Sequence, residues 1–214
     1  MHRRSLVVGA AAAVSSSVLP AGWGDAQAQG AGPRGRVATP AQAEGPFYPT
    51  RWPRETDPDL MSLGGQPYAK GEPLVLTGRV EGLDGRPLAG ASVEIWQCDA
   101  DGHYHHPGDG DRADPAFQGY GRAVTDADGR YRFRAMRPVA YPGRTPHIHV
   151  KVGQGGRSLL TTQMYVAGEP ANDRDGLLAA VRDADRRGAL IARLARDPAG
   201  GWAASFPIVL DLRG

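Results

Sequence analysis

The amino-acid sequence predicts an all-β fold, an antiparallel β-sandwich, and three observations favour this fold class. Gly and Pro are frequent, with 30 and 18 among 214 residues, which favours turns and short strands over long helices. Several short segments alternate small or apolar residues with polar ones, as residues 91–97 do. Turn sequences such as 84–87 and 126–129 separate these segments. Many short strands joined by turns are typical of two packed antiparallel sheets.

The predicted elements follow one another with little helix between them. Seven strands are expected, at residues 74–80, 91–97, 121–125, 130–134, 147–152, 160–166 and 206–212. A long loop runs from Cys98 to about Gly119, and long loops in compact domains usually carry function. One short helix is expected at residues 175–182, with Asn172 or Asp173 as its cap.

Three regions organise the chain. Residues 72–214 contain all the predicted strands and form the β-sandwich domain. Residues 29–71 are rich in Pro, Gly and Ala and predict an extended N-terminal arm, of which the apolar and aromatic part at 39–49 is expected to pack on the domain. Residues 1–28 are expected to be a twin-arginine export signal, because Arg3 and Arg4 precede an apolar, alanine-rich run. An ordinary secretory signal is the alternative, and both predict a periplasmic or extracellular location.

Composition excludes several classes of protein. The formal net charge is only +2 and the arginines are scattered, so no nucleic-acid partner is expected. The single cysteine, Cys98, excludes an internal disulfide framework and is expected to be a small core residue. Nothing after the N-terminal signal approaches the length of a membrane span. The sequence leaves the oligomeric state, including a homo-oligomer, open.

Two histidines in one predicted strand are the most informative feature of the chain. His147 and His149 alternate with Ile148 and Val150, so both imidazoles point to the same face. That arrangement supplies half of a metal site, although a pair of solvated histidines at a strand end fits the spacing equally well. Tyr141 lies just upstream, behind Pro and Gly residues that allow a tight turn.

The long loop contains a second group of histidines around a tyrosine. His103, His105 and His106 surround Tyr104, and they form either a second metal site or a solvated polar loop. Spacing alone favours the solvated loop for the histidines. Tyr104 differs, because a tyrosine in such a loop gains little from burial unless its hydroxyl finds a partner.

Taken in order, these segments resemble the intradiol ring-cleaving dioxygenases, the family of catechol and protocatechuate dioxygenases. The resemblance runs from about Thr39 to the C-terminus, and it is carried by five segments: residues 39–49, 93–106, 121–133, 141–149 and 162–165. It implies a prealbumin-like, Greek-key sandwich with long active-site loops. It also implies a catechol-type substrate that reacts with O2 to give a muconate-type diacid.

The resemblance further implies a role for each site residue. A non-haem ferric iron, Fe(III), would be held by four ligands: Tyr104, Tyr141, His147 and His149. Tyr141 would be displaced by the substrate and then serve as a base. Arg144 would stabilise negative charge that develops on the ring, and Gln163 would hold Arg144 in place. The residue types suit the metal, because ferric iron is a hard cation that favours anionic oxygen donors and accepts imidazole.

Two departures from the family pattern accompany the resemblance. The segment between Tyr141 and His147 is shorter than in well-known members, which predicts a different or more open substrate pocket. The chain also has no room for the helical N-terminal dimerisation domain of catechol and hydroxyquinol dioxygenases. Two alternatives stay open: a prealbumin-like binding module without catalysis, and a family member that binds iron without turnover.

Overall fold

The computed structural model of the protein describes residues 35–212, so the export signal predicted at 1–28 lies outside the described residues. Within this range the chain forms twelve strands, two short α-helices and two 3₁₀ turns. The strands are β1 Ser62–Leu63, β2 Gln66–Pro67, β3 Pro73–Gly82, β4 Ser92–Trp96, β5 Tyr120–Val124, β6 Arg130–Met136, β7 His147–Gln154, β8 Arg157–Val166, β9 Ile191–Ala192, β10 Leu194–Arg196, β11 Trp202–Ser205 and β12 Ile208–Leu210. The helices are α1 Gly176–Ala179 and α2 Ala184–Gly188, and the 3₁₀ turns are Pro107–Asp109 and Pro170–Arg174.

Ten of these strands form two five-stranded sheets. The first sheet has the order β10-β11-β3-β12, with β6 also paired to β3, and the second has the order β5-β4-β7-β8-β9. The all-β class is therefore confirmed. The expectation of purely antiparallel pairing is wrong at three places, because β3 runs parallel to both β11 and β12, and β8 runs parallel to β9. Each of these pairs is joined by a long connection, which parallel pairing requires. The prealbumin-like connectivity stays a prediction.

A proline explains why the last strand differs from its predicted bounds. The sequence predicts one strand at 206–212. The structure instead has two strands, β11 and β12, which pair one after the other with the same neighbour, β3. Between them, the Phe206 N–H donates a 2.8 Å hydrogen bond to the Thr77 carbonyl, but Pro207 has no N–H to donate. The hydrogen-bond ladder with β3 is therefore interrupted at Pro207. The strand before the interruption, Trp202–Ser205, lacks a strong alternation of buried and exposed residues.

One hydrophobic core joins the two sheets. Leu76 and Phe133 from the first sheet belong to the same buried cluster as Ile95 and Val150 from the second. At its N-terminal end β7 is buried on both faces, since His147 and His149 are as buried as the core residues with which they alternate. A second, smaller cluster of aromatic side chains around Trp96 covers the histidine face.

The predicted helix is present but shorter, and its cap is a different residue. α1 spans Gly176–Ala179, and its N-cap is Asp175, whose carboxylate accepts the backbone N–H groups of Leu177 and Leu178. Asn172 lies instead within the 3₁₀ turn that precedes it. No helix among residues 35–212 is long and apolar enough to span a membrane.

The described part of the predicted arm is in close contact with both sheets. The backbone N–H of Thr39 bonds to Val209 and that of Gln42 bonds to Thr161, both at 2.9 Å. Leu60 and Met61 enter the main core. The region is not wholly extended, because β1 and β2 form a small hairpin within it.

We expect the shared core to dominate stability. Replacing the fully buried Phe133 with Ala should lower the free energy of unfolding by about 3–5 kcal/mol, because it removes apolar contacts and leaves a cavity. Val124→Ala is the matched control on the neighbouring sheet, since Val124 is 62% exposed and should change stability by no more than about 0.5 kcal/mol. Chemical denaturation followed by circular dichroism measures both, and equal effects would contradict the assignment of the core.

Candidate metal centre

Four predicted ligand rings meet on the histidine face of β7. The ring centroids of Tyr104 and Tyr141 lie 5.6 Å apart, those of Tyr141 and His147 5.5 Å, and those of Tyr104 and His149 5.9 Å. The two imidazole centroids are 4.8 Å apart. Residues that are up to 45 positions apart in the sequence therefore surround one small volume.

The two imidazoles face each other through their Nε2 atoms. The His147 and His149 Nε2 atoms are 3.2 Å apart. His147 Nδ1 lies 2.7 Å from the backbone carbonyl oxygen of Thr145, which can only accept, so Nδ1 carries the proton and Nε2 presents a lone pair. Burial, aided by the nearby Arg144 guanidinium, lowers the pKa of His147 to about 4. Burial, followed by the effect of His147, also lowers the pKa of His149 well below its usual value, so both rings are neutral near pH 7.

The two tyrosines differ in exposure and in partners. Tyr104 is 2% exposed, and its hydroxyl has no hydrogen-bond partner among the described residues. Burial raises the pKa of this hydroxyl well above its usual value. Tyr141 is half-buried, and its hydroxyl accepts a 3.3 Å bond from Arg144 Nη1. Burial also raises the pKa of Tyr141, and Arg144 opposes that effect.

Local hydrogen bonds hold both tyrosines in place. The Asp109 carboxylate accepts the backbone N–H of Tyr104 at 2.8 Å, and the buried Asp99 carboxylate accepts the N–H groups of His103 and Asp114 across the same loop. Tyr141 begins a turn that closes with a 2.9 Å bond from the Arg144 N–H to the Tyr141 carbonyl. Gly143 within it has a φ of 83°, a backbone conformation that other residues rarely adopt.

Arg144 is fixed by a hydrogen-bonded network. Its Nη2 donates to Gln163 Oε1 at 2.5 Å, a contact that the family resemblance implies, and to the Tyr165 hydroxyl at 3.3 Å. Its Nε donates to the fully buried Asp175 carboxylate at 2.8 Å. The guanidinium keeps one edge toward the Tyr141 hydroxyl, so a positive charge borders the four rings.

The three loop histidines do not join the four rings. His105 Nε2 lies 2.6 Å from the carbonyl oxygen of Phe117, and His106 Nδ1 accepts the backbone N–H of Gly108 at 2.9 Å. His103 Nδ1 lies 3.3 Å from Asp109. Each imidazole thus faces a local loop partner, and the expectation that they bind no metal stays a prediction.

The donor set decides which metal fits. Among residues 35–212 no group of three or more His, Cys, Asp or Glu side chains is placed to hold a metal ion. A metal at the four rings must therefore take phenol oxygens with the imidazoles, a set that suits a hard trivalent cation such as ferric iron better than zinc. Cys98 is fully buried, its thiol faces the Val139 carbonyl at 3.8 Å, and burial raises its pKa to about 12. A bound cation would also give the Tyr104 hydroxyl the partner that it lacks, so the residues fit the metal.

Sequence reasoning missed four residues that shape the site. The sequence pattern places Asp175 only in a helix and Tyr165 only in a strand. Trp96 stacks on His149 with ring centroids 4.7 Å apart and an interplanar angle of 9°. Phe47 from the arm stacks on Tyr104 with centroids 4.7 Å apart. The Trp96–His149 contact depends on strand register, since these residues are paired across β4 and β7, and no local motif carries register.

Comparison with known proteins identifies the family of the chain. A family model described as "Dioxygenase" matches residues 43–212, and the chain belongs to the intradiol ring-cleaving dioxygenase family. The protocatechuate 3,4-dioxygenase beta chain of Burkholderia cepacia is 41% identical over 155 residues, which cover 67% of this chain and 66% of that protein. The hydroxyquinol 1,2-dioxygenase of Nocardioides simplex is 34% identical over 182 residues, which cover 76% of this chain and 57% of that protein. The chain thus spans less than two thirds of these curated relatives.

Solved structures extend the comparison. The dioxygenase domain of a dioxygenase carbohydrate-binding protein fusion from Streptomyces sp. SirexAA-E is 35% identical, with a TM-score of 0.64, and the match covers 82% of this chain and 99% of that one. Catechol 1,2-dioxygenase from Acinetobacter sp. ADP1 is 30% identical with a TM-score of 0.63, and the match covers 82% of this chain and 63% of that one.

We predict that the Arg144–Asp175 pair stabilises the site. Asp175→Asn should lower the free energy of unfolding by about 3 kcal/mol, because it leaves the buried guanidinium without its counter-charge. Burial alone would raise the pKa of Asp175, but Arg144 and two backbone N–H groups hold it below its usual value. The stabilisation should therefore be complete above the ordinary aspartate pKa of about 3.9 and disappear as the pH falls through the lower, folded-state value.

Asp183→Asn is the matched control, because Asp183 caps α2 in the same way but is exposed and has no guanidinium partner among residues 35–212. Denaturant titrations of the three proteins at several pH values measure the effect. If Asp175→Asn lowers the free energy of unfolding no more than Asp183→Asn does, the stabilisation comes from the helix cap and not from the ion pair.

Proposed function

We propose that the protein is a non-haem Fe(III)-dependent intradiol dioxygenase that cleaves a catechol-type ring with O2, between the two hydroxyl-bearing carbons, to a muconate-type diacid. The observation that carries this proposal is the convergence of Tyr104, Tyr141, His147 and His149 beside the Arg144 guanidinium. When bound, ferric iron supplies a Lewis acid that accepts catechol oxygens and makes the electron-rich ring reactive toward O2. Two phenolates and a hydroxide would balance its three charges, which limits the cost of burying the site.

The two tyrosines take different roles because their surroundings differ. Tyr104 is enclosed by Phe47 and the loop, so it would keep its position as a ligand when the metal is bound. Tyr141 is half-exposed and lies on a short turn, so it can move away from the metal without disturbing the core. A phenolate at Tyr141 would be placed to take the proton that a substrate hydroxyl gives up, and Arg144 Nη1, which lies 3.3 Å from the Tyr141 oxygen, would be within reach of that oxygen.

Arg144 supplies fixed positive charge where the substrate ring gains electron density. Its Nε and Nη2 groups are held by Asp175 and Gln163, so little reorganisation is needed during the reaction. Trp96 and Phe47 stack against His149 and Tyr104, and they exclude water from that side of the site.

A non-catalytic prealbumin-like module would share the sheets but would give no reason for four donor groups, three of them buried, at one place. Oxygen uptake with catechol, protocatechuate and hydroxyquinol, together with identification of the ring-opened acid, tests the proposed reaction. A ferric-loaded protein that opens none of these rings would favour the alternative of iron binding without turnover.

We further propose that residues 1–28 direct export to the periplasm or beyond through the twin-arginine route, and that the fold is a prealbumin-like, Greek-key sandwich. Arg3 and Arg4 before the alanine-rich run support the export proposal. That route carries folded proteins, which suits a domain that must be folded to hold a metal. Replacing both arginines with Lys should retain the precursor in the cytoplasm, as fractionation and immunoblotting would show.

Removing a proposed ligand should remove the metal. We expect Tyr104→Phe and His149→Ala to lose most bound iron under metal-limited conditions, because each takes away one donor atom. His103→Ala, His105→Ala and His106→Ala are the controls from the adjacent loop and should keep it. Elemental analysis of the purified proteins measures the iron content. Stoichiometric iron in both Tyr104→Phe and His149→Ala would refute the assignment of these residues as ligands.

Removing Arg144 should separate binding from chemistry. Arg144→Ala should keep the iron and its visible absorption but lose turnover by about 10²–10³-fold, because it removes charge stabilisation that matters most in the transition state. Catechol binding should weaken much less than the rate falls. The substitution leaves the buried Asp175 carboxylate without its counter-charge. The double variant Arg144→Ala/Asp175→Asn therefore controls for misfolding. Turnover near the wild-type rate in either variant would contradict the role.

A further inference from the structure

A groove of about 620 Å³ lies on the outer face of the second sheet. Its floor includes residues that alternate with core residues along their strands, such as Ser92 of β4 and Lys151 of β7. The N-terminal arm adds Tyr48 and Trp52 to its walls. None of the four proposed iron ligands lines it, so the groove is separate from the place where the proposed reaction occurs.

Trp52 offers the groove an exposed aromatic ring whose orientation is fixed. It is 63% exposed, the largest exposed fraction among the large hydrophobic side chains of residues 35–212. Tyr120 and Tyr48 hold it edge to face, with ring centroids 5.3 and 6.2 Å away. Tyr48 is itself fixed, because its hydroxyl donates a 2.8 Å hydrogen bond to Glu94. A ring held in this way loses little freedom on binding, so it provides a flat apolar platform for a ligand ring.

The charged side chains of the groove leave positive charge without a partner. Glu94 is the acidic lining residue and accepts the tyrosine hydrogen bond, and Lys151 forms an ion pair with Glu44 of the arm. Arg122 and Arg157 also line the groove and are exposed, and neither guanidinium forms an ion pair or a hydrogen bond within the described part of the chain. Guanidinium groups bind carboxylates strongly and with defined geometry. The groove is therefore complementary to a ligand that carries carboxylates.

The remaining lining groups are small or polar, and they leave the groove open to solvent. A side chain at Gly155 or Gly156 would meet no atom within 4 Å, so the hairpin between β7 and β8 forms a low wall. Gln154 donates through Nε2 to the Ala89 carbonyl at 2.9 Å, which leaves its Oε1 free to accept, and the Ser158 side chain is exposed. These groups can bind hydroxyls. The groove thus favours an extended ligand whose rings have an apolar face and hydroxylated edges, and pyranose rings have both.

We propose that this groove binds an acidic polysaccharide, a chain of pyranose rings that carry carboxylates. One ring stacks on Trp52, and carboxylates of the chain meet Arg122 and Arg157. Ring hydroxyls meet Gln154 and Ser158. An aromatic acid would use the indole and the guanidinium groups but would leave these hydroxyl-binding side chains unused. The site is independent of the proposed function, because it uses none of the residues around the metal.

Calorimetric titration of the purified protein with hexamers of galacturonate and of mannuronate tests the site. We expect at least one of them to bind with a Kd of about 1 mM or tighter, and more weakly as salt screens the charges. Arg122→Ala/Arg157→Ala should weaken binding at least about 10-fold, because charge-assisted hydrogen bonds are lost. Arg182→Ala/Arg193→Ala is the matched control, since it removes two exposed arginines that do not line the groove and should leave the Kd unchanged.

Trp52 provides an independent readout. Trp52→Ala should weaken binding at least about 5-fold, because the apolar ring face is no longer covered by the ligand. Trp52→Phe keeps a ring and should retain most of the affinity, but the change in indole fluorescence that accompanies binding should disappear. Because Trp52 is exposed, neither substitution should alter the circular dichroism spectrum. Binding should also persist in His149→Ala, whose metal centre is disrupted.

Two comparison ligands separate the sugar rings from the charge. Cellohexaose has the rings without carboxylates, and polyaspartate has carboxylates without sugar rings, so both should bind at least about 10-fold more weakly than the uronate hexamer. Equal binding of either one would overturn the proposal, as would failure of both uronate hexamers to bind. Loss of binding in His149→Ala would place the ligand at the metal instead. Self-association in sedimentation experiments that Trp52→Ala abolishes would show that a second copy of the chain covers the groove, and would equally overturn it.

Discussion

The 3.2 Å approach of two imidazole nitrogens is the contact on which the site depends. Because Thr145 fixes the proton of His147 on Nδ1, the facing Nε2 atom can only accept. In the absence of a cation, a proton carried by His149 Nε2 satisfies that contact and leaves His149 Nδ1 as an acceptor without a partner. Burial keeps both rings neutral, so they stay available as ligands across the physiological pH range.

The surrounding structure holds this arrangement through long-range connections. The single proton of the Tyr165 hydroxyl lies between two acceptors, Gln42 Oε1 of the arm at 3.0 Å and Gln163 Oε1 at 3.1 Å, and Gln163 Oε1 also accepts the bond from Arg144. Asp175 then ties Arg144 to the start of α1. The arm, the second sheet and the helix thus meet at one guanidinium. The arm is part of the site's support, and it also contributes Phe47 to the wall beside Tyr104.

The sequence alone predicts those features of the site that depend on local backbone geometry. The shared face of His147 and His149 follows from the two-residue period of a strand, and the turn between Tyr141 and Arg144 follows from its Pro and Gly. The Arg144–Gln163 bond came from resemblance to the family. Asp175 and Trp96 were missed because their contacts are set by tertiary packing and strand register. The parallel pairings of β3 were missed for the same reason, since alternation within a strand does not specify its neighbour.

The central claim is that two tyrosines and two histidines bind ferric iron together, and resonance Raman spectroscopy of the iron-loaded protein tests it most directly. Excitation within the visible charge-transfer band should enhance ring vibrations of metal-bound tyrosinate, with contributions that change when either Tyr104 or Tyr141 is replaced by Phe. A colourless protein with bound iron, or tyrosinate modes that survive unchanged in both variants, would contradict it.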